Sequence, residues 1–456
     1  MAIFRNVCAR LLVTLGLVLA LLALAALAPG GVAHAVCEPL VISEFRLRGP
    51  NVAWVPSSAF SCQANASRFI PLAPARVFDT RPATAAPGPK GVVPAGGSID
   101  VLVAGVASVP ASGVSAVVVN VTATGTTAPG YITVWPTGTA RPVASNVNLT
   151  AVGQTRPNLV TVPVGSGGRI SMFSEGGGHL LGDIAGYYAP VANRVSAGRL
   201  VPLTPARVFD TRPGTSPPGP KGLVGAGQTI TTQISGVGGV PASGVAAVVL
   251  NVTATGAVNP GYVSAWPTGT AQPLASVLNL NAAGESASNL VIVPLGAGGK
   301  VDFFTEAGTH LLADVTGYIT DASAAVSTSG LFLPLGPSRV FDTRPEQSAA
   351  GPKGVVGAGA TITTQFPVGE MIAGGLVAAV ALNLTGTGSQ AAGFVTSWPT
   401  NEAMPLASTL NLGAGDTRAI AAILPISPGG QLDHFAEVPT HLLADVAGYF
   451  IADYAV

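Results

Sequence analysis

Six charged positions and one histidine recur three times along this chain of 456 residues, and their types are the ones that do chemistry. The first constellation is Arg76, Asp79 and Arg81, repeated as Arg207, Asp210 and Arg212 and as Arg339, Asp342 and Arg344. On an extended segment the Asp and the second Arg face the same way, which suits a bidentate guanidinium–carboxylate pair. Two guanidiniums in one polar notch could grip a carboxylate or a sugar hydroxyl. The same residues could instead pin a strand and the loop at Pro82, because partly buried charges persist as satisfied pairs. The second constellation is Glu175, His179 and Asp183, repeated as Glu306, His310 and Asp314 and as Glu437, His441 and Asp445. Such groups can ligate a divalent cation or exchange protons. Their order matches no metal motif, so no metal is expected, and a His–carboxylate hydrogen bond supporting a hairpin is the favoured reading. Lys90, within Gly-Pro-Lys-Gly and matched by Lys221 and Lys353, reads as a solvated loop tip.

A third set is aromatic. Tyr131 and Trp135, with Tyr262/Trp266 and Phe394/Trp398, share a strand face by parity. Exposed, Trp135, Trp266 and Trp398 would make a platform for sugar rings; buried, they would be sandwich core. Asn120-Val-Thr matches a glycosylation sequon but sits in a central-strand signature and reads as structure. No nucleophile elbow, zincin helix, phosphate-binding loop or dinucleotide fingerprint is present in the sequence. A non-enzyme without cofactors is therefore expected, and tandem copies suit binding by avidity.

The elements that carry these residues come in one unit written three times. Arg76-Val-Phe-Asp-Thr-Arg-Pro82 returns at Arg207 and Arg339, and His179-Leu-Leu-Gly-Asp183 has its counterparts at His310 and His441. The period is 131 residues, with a one-residue offset in the third copy. A unit that long is a domain able to bury its own core, unlike a solenoid or propeller repeat. The expected organisation is a signal peptide at 1–35, a short disulfide-linked segment at 36–67, and β-sandwich copies at 68–190, 199–320 and 330–452. The linkers are short, which favours beads on a string, with close packing about a pseudo-threefold axis as the other arrangement. Each copy reads as about eight short strands divided by Gly and Pro turns. The fold class is all-β, three tandem sandwiches of jelly-roll or immunoglobulin-like type. Val117-Val118-Val119, apolar on both faces, predicts a central strand, and Pro163, Pro294 and Pro425 predict an edge or a strand end.

Composition narrows the class. Only 9% of residues are charged, and the 21 basic balance the 21 acidic residues. Mean hydropathy is +0.52. A nucleic-acid binder needs a basic patch, and a disordered chain needs high charge; neither fits. Arg5 and Arg10 precede an apolar run from Leu11 to Ala28, and Ala33-His34-Ala35 offers a cleavage site. The chain is expected to be secreted or on the cell surface, touching the membrane only during export. Cys37 and Cys62 would then form a disulfide. The expected partners are a cell envelope, an extracellular glycan or protein, or another copy of the chain.

Arg-Val-Phe-Asp-Thr-Arg-Pro, Asn-Val-Thr-Ala-Thr-Gly, Gly-Tyr-x-x-x-Trp-Pro-Thr-Gly and His-Leu-Leu-x-Asp-x-x-Gly-Tyr together resemble a repeat of exported proteins from actinobacteria and neighbouring phyla. The resemblance covers Arg68 to the C-terminus and implies secretion, with no activity attached to it. The stretch from Val41 to Asn51 resembles the opening strand of a lamin-tail domain, an immunoglobulin-like module, without its Asp-Glu-x-x-Glu-Leu continuation. A remnant or short cap is expected there. The leading expectation is a structural or adhesive protein, and the alternative is a set of carbohydrate-binding modules.

Overall fold

The computed structural model describes residues 66–367 and 377–452. The signal segment, the Cys37–Cys62 pair and the lamin-tail-like stretch lie outside the described residues. Copy 1 supplies eight strands: β1 (Ser67–Asp79), β2 (Gly97–Leu102), β3 (Ala116–Thr124), β4 (Gly130–Pro136), β5 (Val147–Leu149), β6 (Arg156–Pro163), β7 (Arg169–Ser174) and β8 (His179–Pro190). They pair antiparallel as two four-stranded layers, β1-β8-β3-β6 and β2-β7-β4-β5. With the first strand beside the last and the second beside the seventh, this is a jelly roll rather than an immunoglobulin-like sandwich. Copies 2 and 3 repeat the order strand for strand, from Leu200–Asp210 to His310–Thr320 and from Phe332–Asp342 to His441–Ile451. β6 is a sheet edge and Pro163 is its last residue, where a missing N–H costs no ladder bond.

The valine run of β3 explains how the copies associate. Val117, Val119 and Val121 point into the core of copy 1 with Ile132, Val134 and Ile170. Ala116 and Val118, on the opposite face, join a further core shared by all three copies, with Val249 and Ile319 of copy 2 and Phe332, Ala381 and Phe450 of copy 3. The inner layers are thus buried on both faces, and the copies are packed together around a pseudo-threefold axis rather than strung as beads. Separation would return this second face to water, at about 1.5–3 kcal/mol for each large side chain. A chain that buries both faces of three sheets has little room for charge, which accounts for the 9%.

Aromatic contacts tie the shared core together: Tyr188 stacks on Phe332 at 4.2 Å, and Phe69 meets Tyr188 at 5.1 Å. The recurring Gly-Tyr glycine makes room for these rings. A Cβ at Gly186 would lie 2.3 Å from the Phe69 ring, and one at Gly448 would lie 2.3 Å from Phe332. The start of β1 pairs with the start of Phe332–Asp342, Ser67 opposite Phe332, so the inner layers of copies 1 and 3 form one eight-stranded sheet. The two linkers also meet, with Val195 and Ser327 exchanging backbone hydrogen bonds of 3.1 and 3.0 Å.

Candidate functional site

Each Arg-Asp-Arg set closes on itself. A bulge in β1 between Arg76 and Phe78 sets Arg76 opposite Asp183 on β8. Arg76 Nε and Nη2 donate to the two oxygens of Asp183 at 2.6 and 3.1 Å, and Nη1 donates to Asp79 Oδ2 at 2.8 Å. Arg81 donates to Asp79 from its backbone N–H at 2.9 Å and from Nη2 at 2.7 Å. Copies 2 and 3 reproduce the arrangement through Arg207, Asp210, Arg212 and Asp314 and through Arg339, Asp342, Arg344 and Asp445. Burial raises the Asp79 carboxyl, but the Arg81 hydrogen bonds and the charges of Arg81 and Arg76 outweigh it and hold it below the usual carboxylate range. Asp183 lies deeper, and there desolvation wins over Arg76, so its pKa is raised. Both Asp79 and Asp183 are buried, whereas the Arg81 side chain is 43% exposed. What the notch offers to solvent is the outer edge of Arg81 and its counterparts.

Lys90 is not a free loop tip. Its ammonium donates to the carbonyls of Asp79 and Ala86 at 2.7 Å each and to Thr84 Oγ1 at 3.1 Å, tying the loop after β1 back to that strand. The second constellation does not assemble either. His179 Nδ1 pairs with Thr80 Oγ1 at 3.1 Å, Asp183 belongs to Arg76, and Glu175 is exposed. His179 and Asp183 do share a face, but four residues of strand separate them by about 13 Å. The His–carboxylate bond is therefore replaced by a His–Thr bond, with His310 on Thr211 and His441 on Thr343. Glu306 and Glu437 stand where Glu175 does, and among the described residues no group of His, Cys, Asp and Glu is arranged to hold a metal.

The tryptophans are buried, although outside the sandwich core. Ile132 and Val134 of β4 face inward, so Tyr131 and Trp135 are on the outer face of the outer layer. The loop after β4 folds over that face, and Trp135 Nε1 donates to Thr139 O at 3.1 Å; Trp266 and Trp398 do the same with Thr270 and Glu402. With the rings 8%, 5% and 6% exposed, the more open aromatics are Tyr131, Tyr262 and Phe394, half-buried beside Phe173, Phe304 and Phe435.

The sequon asparagines link the copies. Asn120 Nδ2 donates to Ser276 O of copy 2 at 2.7 Å, Asn251 to Ser408 O of copy 3 at 2.7 Å, and Asn383 to Ser145 O of copy 1 at 2.5 Å. The three bonds run in one sense and close a ring. A second asparagine completes two seams: Asn289 Nδ2 donates to Asn120 Oδ1 at 2.9 Å, and Asn158 Nδ2 donates to Asn383 Oδ1 at 2.7 Å. At the seam of copies 2 and 3 the equivalent residue is Ile420, and Asn251 Oδ1 is buried without a partner.

Residues that recur only partly were missed by the search for triplicates. Arg156 of copy 1 donates to Asp416 of copy 3 at 2.7 Å, and Arg418 of copy 3 pairs with Glu285 of copy 2 at 3.3 Å. Burial, reinforced by the charge of Arg418, lowers the pKa of Arg156. His434 is fully buried in copy 3, between Ser397 Oγ and Thr364 Oγ1 at 2.8 Å each, where copies 1 and 2 carry Met172 and Phe303. Where copy 3 meets copy 1, Arg339, Arg344 and Thr385 line one cleft with Tyr131 and Arg141, of about 310 Å³. It joins the notch of one copy to the aromatic face of the next.

No protein-family model matches the chain, and no curated protein matches it. Among solved structures it is similar to a chain from the Sulfolobus turreted icosahedral virus, with 9% identity, 77% of this chain and 83% of that chain covered, and a TM-score of 0.16. It is also similar to the CBM22-1–CBM22-2 tandem domain of Paenibacillus barcinonensis Xyn10C, with 11% identity, 55% and 98% covered, and a TM-score of 0.15. A chain of the lipid-containing bacteriophage PM2 gives 7% identity, 78% and 98% coverage and a TM-score of 0.14. Likeness at this level carries no argument about this protein, and the jelly-roll assignment rests on its strand order.

Proposed function

We propose that this chain is a secreted or cell-surface structural or adhesive protein, non-enzymatic, whose three jelly rolls form one preassembled body. The observation that carries the reading is where the repeated charges go: each Arg76–Asp79–Arg81–Asp183 set is consumed in bonding its own strands. The asparagines likewise serve the seams. Polar groups spent on holding a body together suit a body whose task is shape and surface. A net charge of zero favours association with its own kind or deposition on an envelope. Sedimentation of the purified secreted chain across a hundredfold concentration range, with a cell-envelope pull-down, is the test. Association in either assay is expected; a chain that stays monomeric and leaves envelopes bare would sink the proposal. The exported form should begin at Val36, which mass spectrometry of the secreted protein checks.

A second reading, carbohydrate binding, is favoured by the cleft of Tyr131, Arg141 and Arg344, which pairs an accessible ring with guanidiniums. The buried tryptophans give it no support. A glycan array probed with the wild-type chain and Tyr131→Ala tests it; equal binding by both would remove this cleft from consideration.

A further inference from the structure

The three seams share the asparagine ring and differ, among other positions, in the loop that follows β4. The loop after β4 carries Arg141 in copy 1, Gln272 in copy 2 and Met404 in copy 3. Arg141 lies with its guanidinium carbon 3.7 Å from the centroid of the Phe173 ring, which holds a flexible side chain in one place. Among the described residues it forms no ion pair. Across the cleft, Arg339 and Arg344 are matched by Asp342 and Asp445. The cleft therefore holds one surplus cation, immobilised and exposed, at one seam of three.

Its other linings are hydroxylic. Thr385 lines the cleft; it is 1% exposed and its Oγ1 has no hydrogen-bond partner, as is true of Thr122 and Thr253 in the other copies, so Arg141 is what sets this cleft apart. A buried hydroxyl without a partner is costly unless something reaches it. Thr387 and Thr417 bond each other at 2.7 Å beside it. Tyr131 adds a half-buried ring, and about 310 Å³ is at the small end of ligand pockets. A planar anion for the guanidinium, an apolar face for the ring and hydroxyls for the threonines are three properties found together in a sugar acid.

We propose that the cleft between copies 3 and 1 is a subsite for a uronate residue of an acidic polysaccharide. Arg141 takes the carboxylate bidentately, Tyr131 takes the apolar face of the pyranose, and Thr385 takes a ring hydroxyl. The proposal rests on the carbohydrate-binding reading and narrows it to one seam and one ligand class.

Calorimetry with the full secreted chain tests it, using oligomers of galacturonate, glucuronate and mannuronate, their carboxyl-reduced neutral twins, and oligoglutamate. One site per chain is expected for at least one uronate. At least tenfold weaker binding is expected for its neutral twin, for oligoglutamate and for Arg141→Gln. Copy 2 carries glutamine at this position, so the loop tolerates that variant. Gln272→Arg should leave the first site unchanged. Uronate binding that ignores Arg141→Gln overturns the proposal, as does oligoglutamate binding equally well. Neutral sugars bound regardless of Arg141 would keep the broader carbohydrate reading and remove this site. If no sugar binds, charged or neutral, both fall.

Discussion

The Arg-Asp-Arg clusters inside the copies superpose residue for residue, while the polar contacts between the copies, the asparagine ring apart, do not. Arg76, Arg207 and Arg339 each hold two carboxylates in the same way. The seams use Asn–Asn pairs twice and Ile420 once, and a single unrepeated chain, Arg156–Asp416–Arg418–Glu285, runs through all three copies. Each copy closes its Arg-Asp-Arg charges within its own strands, so that solution appears three times. A ring of three is held by the sum of its seams, so one seam can be weak while the others hold. Within a single polypeptide, unlike a homotrimer, each seam is also free to differ in sequence.

The largest expected effect tests the internal half of this contrast. Arg76→Ala leaves Asp183 buried without its guanidinium and takes one of two guanidiniums from Asp79, at about 3–5 kcal/mol. Arg207→Ala and Arg339→Ala should cost the same, as read from urea denaturation. A markedly smaller loss in one copy would break the equivalence.

Next in size is His434, which sets the interior of copy 3 apart. Burial holds its pKa down at about 4, with Asp433 opposing only weakly. Above the ordinary histidine range both folded and unfolded chains carry it neutral, and nothing is lost. As pH falls from about 6.5 to about 4 the unfolded chain takes up a proton that the folded chain refuses, so stability declines by about 3 kcal/mol. His434→Met, the residue of copy 1, should abolish that part of the acid sensitivity. Identical pH slopes in the variant and the parent would refute it.

The seams come third. Asn158→Ile copies the weak seam into the junction of copies 3 and 1 and should cost about 1–3 kcal/mol, since it orphans Asn383 Oδ1. Ile420→Asn should recover part of that amount at the junction of copies 2 and 3 by reaching Asn251 Oδ1. Hydrogen exchange at Asn251 and Asn383 would read both; unchanged protection in both variants would deny the asparagines their role. Smallest is Lys90→Met, which frees an exposed loop at about 1 kcal/mol or less, measurable as faster proteolysis between Pro82 and Gly91.

Much of this was legible in the residues. Alternating and doubly apolar runs located the eight strands, and Val117-Val118-Val119 signalled a layer covered on both sides. The strand order was not legible, because β1 pairs with β8 across more than a hundred residues and nothing local encodes that choice. The Asp79–Arg81 pair could be read from parity, but the Arg76–Asp183 bond spans 107 positions and depends on a bulge. His179 went to Thr80 because residues on one strand face stand too far apart to touch. Trp135 was expected either open or in the core and is neither, since a loop covers it from outside. His434, Arg156 and Arg418 escaped a search for triplicates for the plain reason that they are not triplicated.

The corner where β1 begins has a mechanical consequence. Ser67 and Phe450 flank Phe332 on either side, so the two ends of the three-copy body emerge about 10 Å apart, one strand between them. Tension applied through those ends acts across the strands and peels their hydrogen bonds one after another. Copy 2 and most of the shared core are outside the line of force. Held by its ends, the body is compliant, and it would resist pulling only where a load enters through the loops of several copies at once.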